Sequence, residues 1–321
     1  MKKIRVFEAF AGYGGASFGM KLANIPHDVV GYSEWDKYAI ELYEANHRDA
    51  NLFPSGSGDI TQIDESALPD FDLFTGGFPC QPFSSAGLGN GELDMRGSLF
   101  YDILRIVNCK MPKHILLENV KGMTHKKHKP TLDKIIGELK LLGYQVFYEI
   151  LNTKDYGVPQ NRERLWIYAR LNGTLPQNWS LNPGKIQSDD LHIKNFLDSD
   201  VESNLWLNDD QIARLIEKHN VKFDVKEPLC FDVYNKKIRT DGMCITITEP
   251  HHNSLRIVYP PENGKFRVRK LSTSEHFRLM GFPDGFIDFA GQSYQQICKR
   301  AGNGWDINVV SKIMKRILLE Y

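Results

Sequence analysis

Short apolar runs and amphipathic stretches alternate along the first 170 residues of the chain. The runs KIRVFEAF (3–10), DVVGYSE (28–34), FDLFTGG (71–77), KHILLEN (113–119), YQVFYEIL (144–151) and RLWIYAR (164–170) each predict a strand. Between them, 16–23, 37–46, 99–107 and 132–142 predict helices. Short β-rich runs separated by helices of about ten residues predict an α/β fold with a mostly parallel sheet. After Arg170 the pattern changes. LNGTLPQNWSLNPGKIQSDD (171–190) is rich in Asn, Pro, Gly and Ser and reads as a connection. From there to about Lys270 the periodicity is weak, and the best strands are GMCITIT (242–248) and SLRIVY (254–259), which predict a smaller, irregular, β-rich domain. Helical signals return over 272–280 and 307–319. In the last of these Val310, Ile313, Met314, Ile317 and Leu318 share one apolar face.

Composition narrows the class. The 321 residues suffice for one large or two moderate domains, and 41% hydrophobic with 25% charged residues is ordinary for a soluble enzyme. No apolar run reaches 18 residues, so no membrane span is expected and a cytoplasmic protein is. None of the five cysteines forms a C-x-x-C pair, which argues against a structural zinc site or a disulfide framework. Forty basic and forty acidic residues cancel, which excludes nucleic-acid binding by bulk charge alone. The charge is nevertheless uneven, with a net of −6 over 188–217 and +5 over 218–270. The HKKHK run at 125–129 reads as a solvated loop.

Three local patterns carry candidate chemistry. FAGYGG (10–15) follows a strand and opens a helix, where glycines let the backbone approach a ligand. Glu34 ends the second strand 22 residues beyond Gly12, the place for a carboxylate that takes ribose hydroxyls, and Asp59 could accept from an adenine amino group. That combination suits either a dinucleotide or S-adenosylmethionine. In GGFPCQPFSSAG (76–87), Pro79 and Pro82 stiffen the chain around Cys80. A glycine-rich stretch follows that could close over a substrate. Glu118 sits at a strand end, where an open α/β sheet faces its ligand crevice. Arg162 and Arg164 occupy alternate positions at a strand start and are expected to point the same way.

Together these segments resemble the cytosine-C5 DNA methyltransferases, most closely the short bacterial enzymes of restriction–modification type. The resemblance runs through FAGYGG, EWD (34–36), GDI (58–60), GFPCQPFS (77–84), RGSLF (96–100), ENV (118–120), QNRER (160–164), RKLSTSEHFRLMGFP (269–283) and GNGW (302–305), in family order. It implies a doubly wound methyltransferase sheet formed by 1–189 with 303–321, a target-recognition domain over 190–275 and a hinge over 276–302. Cys80 is then the nucleophile that adds to cytosine C6 and makes C5 reactive. Glu118 donates to N3. Arg164 holds O2, and Arg162 supports the site or a phosphate. The implied cofactor is S-adenosyl-L-methionine, leaving as S-adenosyl-L-homocysteine. Phe10, Gly12, Gly14, Gly15, Glu34, Trp35, Asp59, Ile60, Pro79, Leu99 and Asn303 are its expected contacts, the lesser alternative for Phe10, Trp35 and Leu99 being plain core residues. No metal is required.

A cytosine inside a duplex cannot present C6 to a thiol, so the base must leave the stack. The implied partner is double-stranded DNA, with the chain acting as a monomer and a separately acting cognate restriction endonuclease among the partners the resemblance allows. Ser84, Ser85, Arg96 and Thr246 are expected DNA contacts. Tyr234, Asn235, Lys236, Lys237 and Arg239 are candidate base readers. GNGW stands where the family often has GNS or GNA, and FEAF replaces the commoner Asp-Leu-Phe lead. Competing readings are an RNA-directed (tRNA) relative, whose usual Cys-Phe-Thr signature is absent, a catalytically silent DNA-binding regulator, and a nicotinamide dehydrogenase, which leaves FPCQPFS unexplained.

Overall fold

The computed structural model describes residues 2–79, 99–173, 175–186, 191–220, 224–250 and 255–320. These form two units. The first comprises 1–151, 163–184 and 310–321, and the second 152–162 and 185–309.

The first unit alternates strand and helix as the periodicity predicts. It contains β1 (Ile4–Ala9), α1 (Gly15–Leu22), β2 (His27–Ser33), α2 (Lys37–Asn46), β3 (Leu73–Gly77), α3 (Leu99–Lys110), β4 (His114–Val120), α4 (Lys129–Leu141) and β5 (Tyr144–Asn152). The two-residue strand β6 (Gln160–Asn161) precedes β7 (Glu163–Leu171). One six-stranded sheet has the order β2-β1-β3-β4-β7-β5. β1, β2, β3 and β4 pair in parallel, whereas β7 runs antiparallel to β4. Four βα connections therefore leave the same edge of the sheet, the edge at which open α/β sheets bind ligands. β3 and β4 are buried over most of their length, as continuous apolar strands covered on both faces should be. Phe7, Phe74, Ile115, Leu117, Ile103, Ile106, Leu132 and Ile167 meet in one core cluster.

α8 (Ile307–Leu318) ends the chain's regular structure, and its residues from Val310 onward belong to the first unit. Val310, Ile313, Met314 and Ile317 are buried, as their shared face requires, whereas Leu318 is only partly so. The fit against α1 is close because residue 19 lacks a side chain: a Cβ there would lie 2.3 Å from Val310 Cγ1.

The second unit is more regular than its sequence suggests. α5 (Asp209–His219) precedes β8 (Leu229–Asp232), β9 (Lys237–Ile238), β10 (Cys244–Ile245), β11 (Leu255–Glu262) and β12 (Lys265–Arg269). α6 (Thr273–Arg278) and α7 (Tyr294–Asn303) follow. A four-stranded antiparallel sheet, β12-β11-β8-β9, packs Leu229, Phe231, Val258 and Val268 against Ile212, Leu215 and Ile216 of α5. Of the predicted strand 242–248 only Cys244–Ile245 pairs, in parallel with β6. The side chains of Arg269 and Glu275, fully buried, form a bidentate pair at 2.7 Å that ties β12 to α6, with Tyr259 completing the guanidinium's partners. No helix among the described residues is long and apolar enough to cross a membrane.

Gly19→Ala should destabilise the protein by about 1–3 kcal/mol through overpacking. Gly19→Ala combined with Val310→Ala should recover part of that loss in a double-mutant cycle followed by urea unfolding. Strict additivity would show that the two positions do not press on each other.

Candidate active site

The glycine turn follows β1 directly. Phe10 (φ 52°), Gly12 (φ 58°) and Gly14 (φ 87°) bend it through left-handed backbone, which Phe10 adopts despite its side chain. Among the described residues, leaving out its chain neighbours, no atom lies within 4 Å of the position a Gly12 Cβ would take, so that side of the turn is open to them. Gly14 caps α1, whose first residue is Gly15. Glu34, at the end of β2, accepts from Gly12 N at 2.9 Å and from Trp35 N and Asp36 N at 3.0 Å. Trp35 beside it is 82% exposed, which rules out the core reading of that residue. Phe10 and Leu99 are half-buried and pack against the core cluster.

Asp59 and Ile60 are brought beside Glu34 by a close approach. Ser33 Oγ donates to the Gly58 carbonyl at 2.7 Å, and a Cβ on Gly58 would lie 1.9 Å from the Glu34 carbonyl oxygen. The Asp59 carboxylate accepts from Thr61 N, Thr61 Oγ1 and Gln62 Nε2, while Ile60 is buried. Arg105 of α3, which sequence reasoning did not single out, pins the segment through the carbonyls of Ile60 (2.6 Å) and Ile63 (2.5 Å).

The carboxylate–guanidinium centre lies at the β4–β7 pairing. Val120 faces Arg164 and Glu118 faces Trp166 across the antiparallel ladder, so Glu118 and Arg164 are diagonal neighbours. Arg164 Nε lies 2.9 Å from Glu118 Oε1, with the two side chains only 20% and 13% exposed. Arg164 also donates to the Glu163 carbonyl, and Glu163 itself binds Lys121 with both oxygens. Asn119, 2% exposed, donates to the Phe78 carbonyl at 3.0 Å and so fastens the end of β4 to the chain leaving β3. Pro79, exposed, is the next residue. Cys80, Ser84, Ser85 and Arg96 lie outside the described residues.

Arg162 does not share Arg164's direction. The chain turns at Arg162, whose N–H donates to the Gln160 carbonyl, so strand alternation is broken between the two arginines. Its guanidinium is buried, 3% exposed, and donates to the carbonyls of Ile247, Gly302 and Gly304 at 2.9–3.1 Å. Those three carbonyls make it an anchor within its own unit. Asn303, between two of those acceptors, is exposed. In the next turn the Asp306 carboxyl is pushed up to about 7 by burial, opposed by the Val309 N–H and Arg162, and its Oδ2 has no hydrogen-bond partner among the described residues. Thr246 Oγ1 donates to the Asn161 carbonyl at 2.7 Å.

The candidate readers divide. Tyr234 is 82% exposed at the β8–β9 turn, where Lys236 takes φ 56° and Lys237 is exposed. Asn235 is engaged by Asp232 through both its backbone and its amide, and Arg239 by Asp241 at 2.5 Å. Of the cysteines, burial pushes Cys230 and Cys298 up to about 12 and raises Cys244 well above its ordinary value, so none of the three offers a thiolate. Among the described residues no cluster of metal-ligating side chains occurs.

Sequence reasoning passed over Glu8, the acid that stands in the FEAF lead. Its carboxyl is 2% exposed in β1 and takes the Ser17 N–H at 2.7 Å. Burial pushes it up to about 8, opposed by that N–H. A carboxyl raised in the folded state adds stability below its unfolded value near 4.5, and this is lost as pH rises through about 8. Unfolding free energy should therefore fall across that window by on the order of a few kcal/mol. Glu8→Gln should remove most of the fall in urea titrations from pH 5 to 9. A profile identical to that of the unaltered protein would mean that Glu8 ionises normally.

Comparison with known proteins agrees with this geometry. The family profile for C-5 cytosine-specific DNA methylase matches residues 4–319. The type II methyltransferase M.HaeII of Haemophilus aegyptius is 36% identical over 98% of this chain and 92% of its own length. M.HhaI of Haemophilus parahaemolyticus is 33% identical over 98% and 94%. Among solved structures, S. pombe Dnmt2 superposes with a TM-score of 0.74 at 22% identity, covering 99% of this chain and all of that one, a likeness of fold. A putative DNA modification methyltransferase from an E. coli prophage gives 0.69 at 20% identity over 98% of both chains, likewise a likeness of fold. With the family profile spanning all but the extreme ends and relatives above 30% identity along the whole length, the chain belongs to the C-5 cytosine-specific DNA methylase family.

Proposed function

We propose that this DNA cytosine-5 methyltransferase moves the methyl group of S-adenosylmethionine to C5 of a cytosine swung out of a double-stranded site, through a transient bond from Cys80 to C6. The observation that carries the reading is the Glu118–Arg164 pair, 2.9 Å apart at the carboxyl end of β4. A pyrimidine edge offering O2 and N3 matches one guanidinium and one carboxyl group side by side.

The open side of the turn at Gly12, the Glu34 carboxylate and the exposed Trp35 ring fit an adenosyl ligand. Glu34 would take the ribose hydroxyls, Trp35 would cover the adenine, and Asp59 would accept from its amino group. The bound donor supplies a methyl group on a sulfonium, and the protein's own residues do the rest. The Cys80 sulfur gives an electron pair to C6. The C5=C6 pair shifts to C4–C5 and the C4=N3 pair to N3, where Glu118 delivers a proton while Arg164 holds O2. The enamine pair at C5 then takes the methyl carbon, and the C–S bond pair stays with the departing thioether. Water removes the C5 proton, the C5=C6 bond re-forms as Cys80 leaves as thiolate, and N3 returns its proton to Glu118. As the source of the N3 proton, Glu118 acts in its carboxylic-acid form. The second unit, with Tyr234, Lys236 and Lys237 exposed at one turn, is the candidate target reader.

Cys80→Ala should abolish methylation while retaining DNA binding, and Glu118→Gln should lower turnover at least a hundredfold with donor binding intact. DNA containing 5-fluorocytosine should trap a covalent adduct, since fluorine cannot leave as the C5 proton does. Turnover by Cys80→Ala, or no adduct under active conditions, would refute the covalent route. Mapping 5-methylcytosine in a methylation-free host should give one recurring motif. Methylated RNA without methylated DNA would redirect the substrate assignment.

A further inference from the structure

Beneath the glycine turn lies a chain of polar side chains, Ser17 buried and His27 and His47 partly so, that the proposed chemistry does not use. His27 Nδ1 is 2.8 Å from the Ile25 carbonyl and His27 Nε2 is 2.9 Å from Ser17 Oγ. Ser17 Oγ is 3.3 Å from His47 Nδ1, and His47 Nε2 is 3.1 Å from the Tyr13 carbonyl. Both ends are carbonyl oxygens, which only accept. Four links need four protons, yet two neutral imidazoles and one hydroxyl hold three. Burial pushes His47 down to about 4 and lowers His27, so both rings are neutral near pH 7. One link is then always unmade. The longest is Ser17–His47. Leaving that link unmade, Ser17 donates to His27 and the His47 proton sits on Nε2, the nitrogen that faces Tyr13.

Tyr13 is at the centre of FAGYGG, and Gly14 rests on the same ring: a Cβ there would lie 2.2 Å from His47 Nε2. The imidazole packs against Tyr43 at 4.5 Å and Phe18 at 4.8 Å. The titratable and charged groups around it are Glu8 on β1, reached through Ser17, His27 on β2, Lys21 on α1 and Tyr43 on α2, with Tyr32 of β2 stacked on Tyr43. His47 is the residue that caps the C-terminus of α2, and the N-terminus of the same helix follows Glu34 and Trp35. A ten-residue helix thus joins the ribose carboxylate to the floor of the turn.

We propose that His47 is a positioning residue for the methyl-donor site: as the Nε2–H tautomer it donates to the Tyr13 carbonyl and holds the glycine turn in the shape that receives the donor. This rests on the assignment of that turn to S-adenosylmethionine. Ser17 is not the support of this bond but a competitor for which ring receives a proton. Removing its hydroxyl leaves two links and two protons.

The test measures S-adenosylmethionine and S-adenosylhomocysteine binding by calorimetry for the unaltered protein, His47→Phe, His47→Gln and Ser17→Ala, with a melting curve for each. His47→Phe keeps a ring in the packing and loses the donor. It should bind about 5- to 30-fold more weakly, the effect of one lost hydrogen bond of 1–2 kcal/mol. In turnover the deficit should fall on the KM for the donor more than on kcat. His47→Gln, which restores an N–H of similar reach, should recover part of the affinity, and Ser17→Ala should lose less than His47→Phe. Unchanged affinity in His47→Phe, or a larger loss in Ser17→Ala, overturns the proposal. The 15N spectrum of histidine-labelled unaltered protein decides it without any variant: a protonated Nε2 on His47 supports it, a protonated Nδ1 overturns it. Failure of the unaltered protein to bind either ligand would strike the donor assignment itself, and the proposal with it.

Discussion

One antiparallel strand brings Glu118 and Arg164, the centre of the proposed active site, together. Parallel strands all present their carboxyl ends on one edge, and none of them can bring its beginning there. β7 runs the other way beside β4, so its first residues meet the last residues of β4. That reversal sets Arg164 diagonally across from Glu118 and holds a guanidinium against a carboxylate in a mostly water-excluded place. Lys121 and Asn119 act around it, the first through Glu163 and the second through the Phe78 carbonyl. Both clamp the ends of neighbouring strands, so the pair's geometry is inherited from the sheet and not from a loop. Such preorganisation lowers the reorganisation needed when charge develops on a bound ring.

The same edge carries the proposed nucleoside side of the site, where close approach of backbone plays a large part. Gly58 abuts the Glu34 carbonyl and Gly14 abuts His47, at distances no side chain tolerates. The acceptors are satisfied internally: Glu34 by three backbone N–H groups and Asp59 by Thr61 and Gln62. Each carboxylate is therefore oriented before any ligand arrives.

Much of this was legible in the sequence because it follows from periodicity or from spacing. The buried strands, the glycine turn and the position of Glu34 all emerge from residue order alone, and so does the buried face of α8. Other features were hidden for identifiable reasons. α5 is short and crowded with charge, and its large apolar positions are the three residues Ile212, Leu215 and Ile216, inside a region whose periodicity is otherwise weak. Its start was nevertheless marked by the capping box of Asn208 and Gln211, three residues apart. Arg162 and Arg164 looked equivalent because alternation assumes an unbroken strand, and the turn at Arg162 is invisible in residue types. Glu8, Ser17, His27 and His47 come from β1, α1, β2 and the end of α2. No local pattern joins polar residues that meet only after the sheet has formed. The role of Thr246, the readers near Tyr234 and the extent of each domain depend on a bound duplex and stay with the proposal.

The anchor at Arg162 has a consequence for how such a protein can diversify. Its guanidinium grips three main-chain oxygens, at Ile247, Gly302 and Gly304, from segments 85 to 142 positions away in the chain. Peptide oxygens are supplied by every amino acid. Exposed side chains in the neighbouring segments can thus change, exchanging one surface chemistry for another, while Ile247 stays buried, residue 302 stays a glycine and the bonds that fix the backbone stay intact. Selection can rewrite what that unit presents to its surroundings without having to reinvent how it is held.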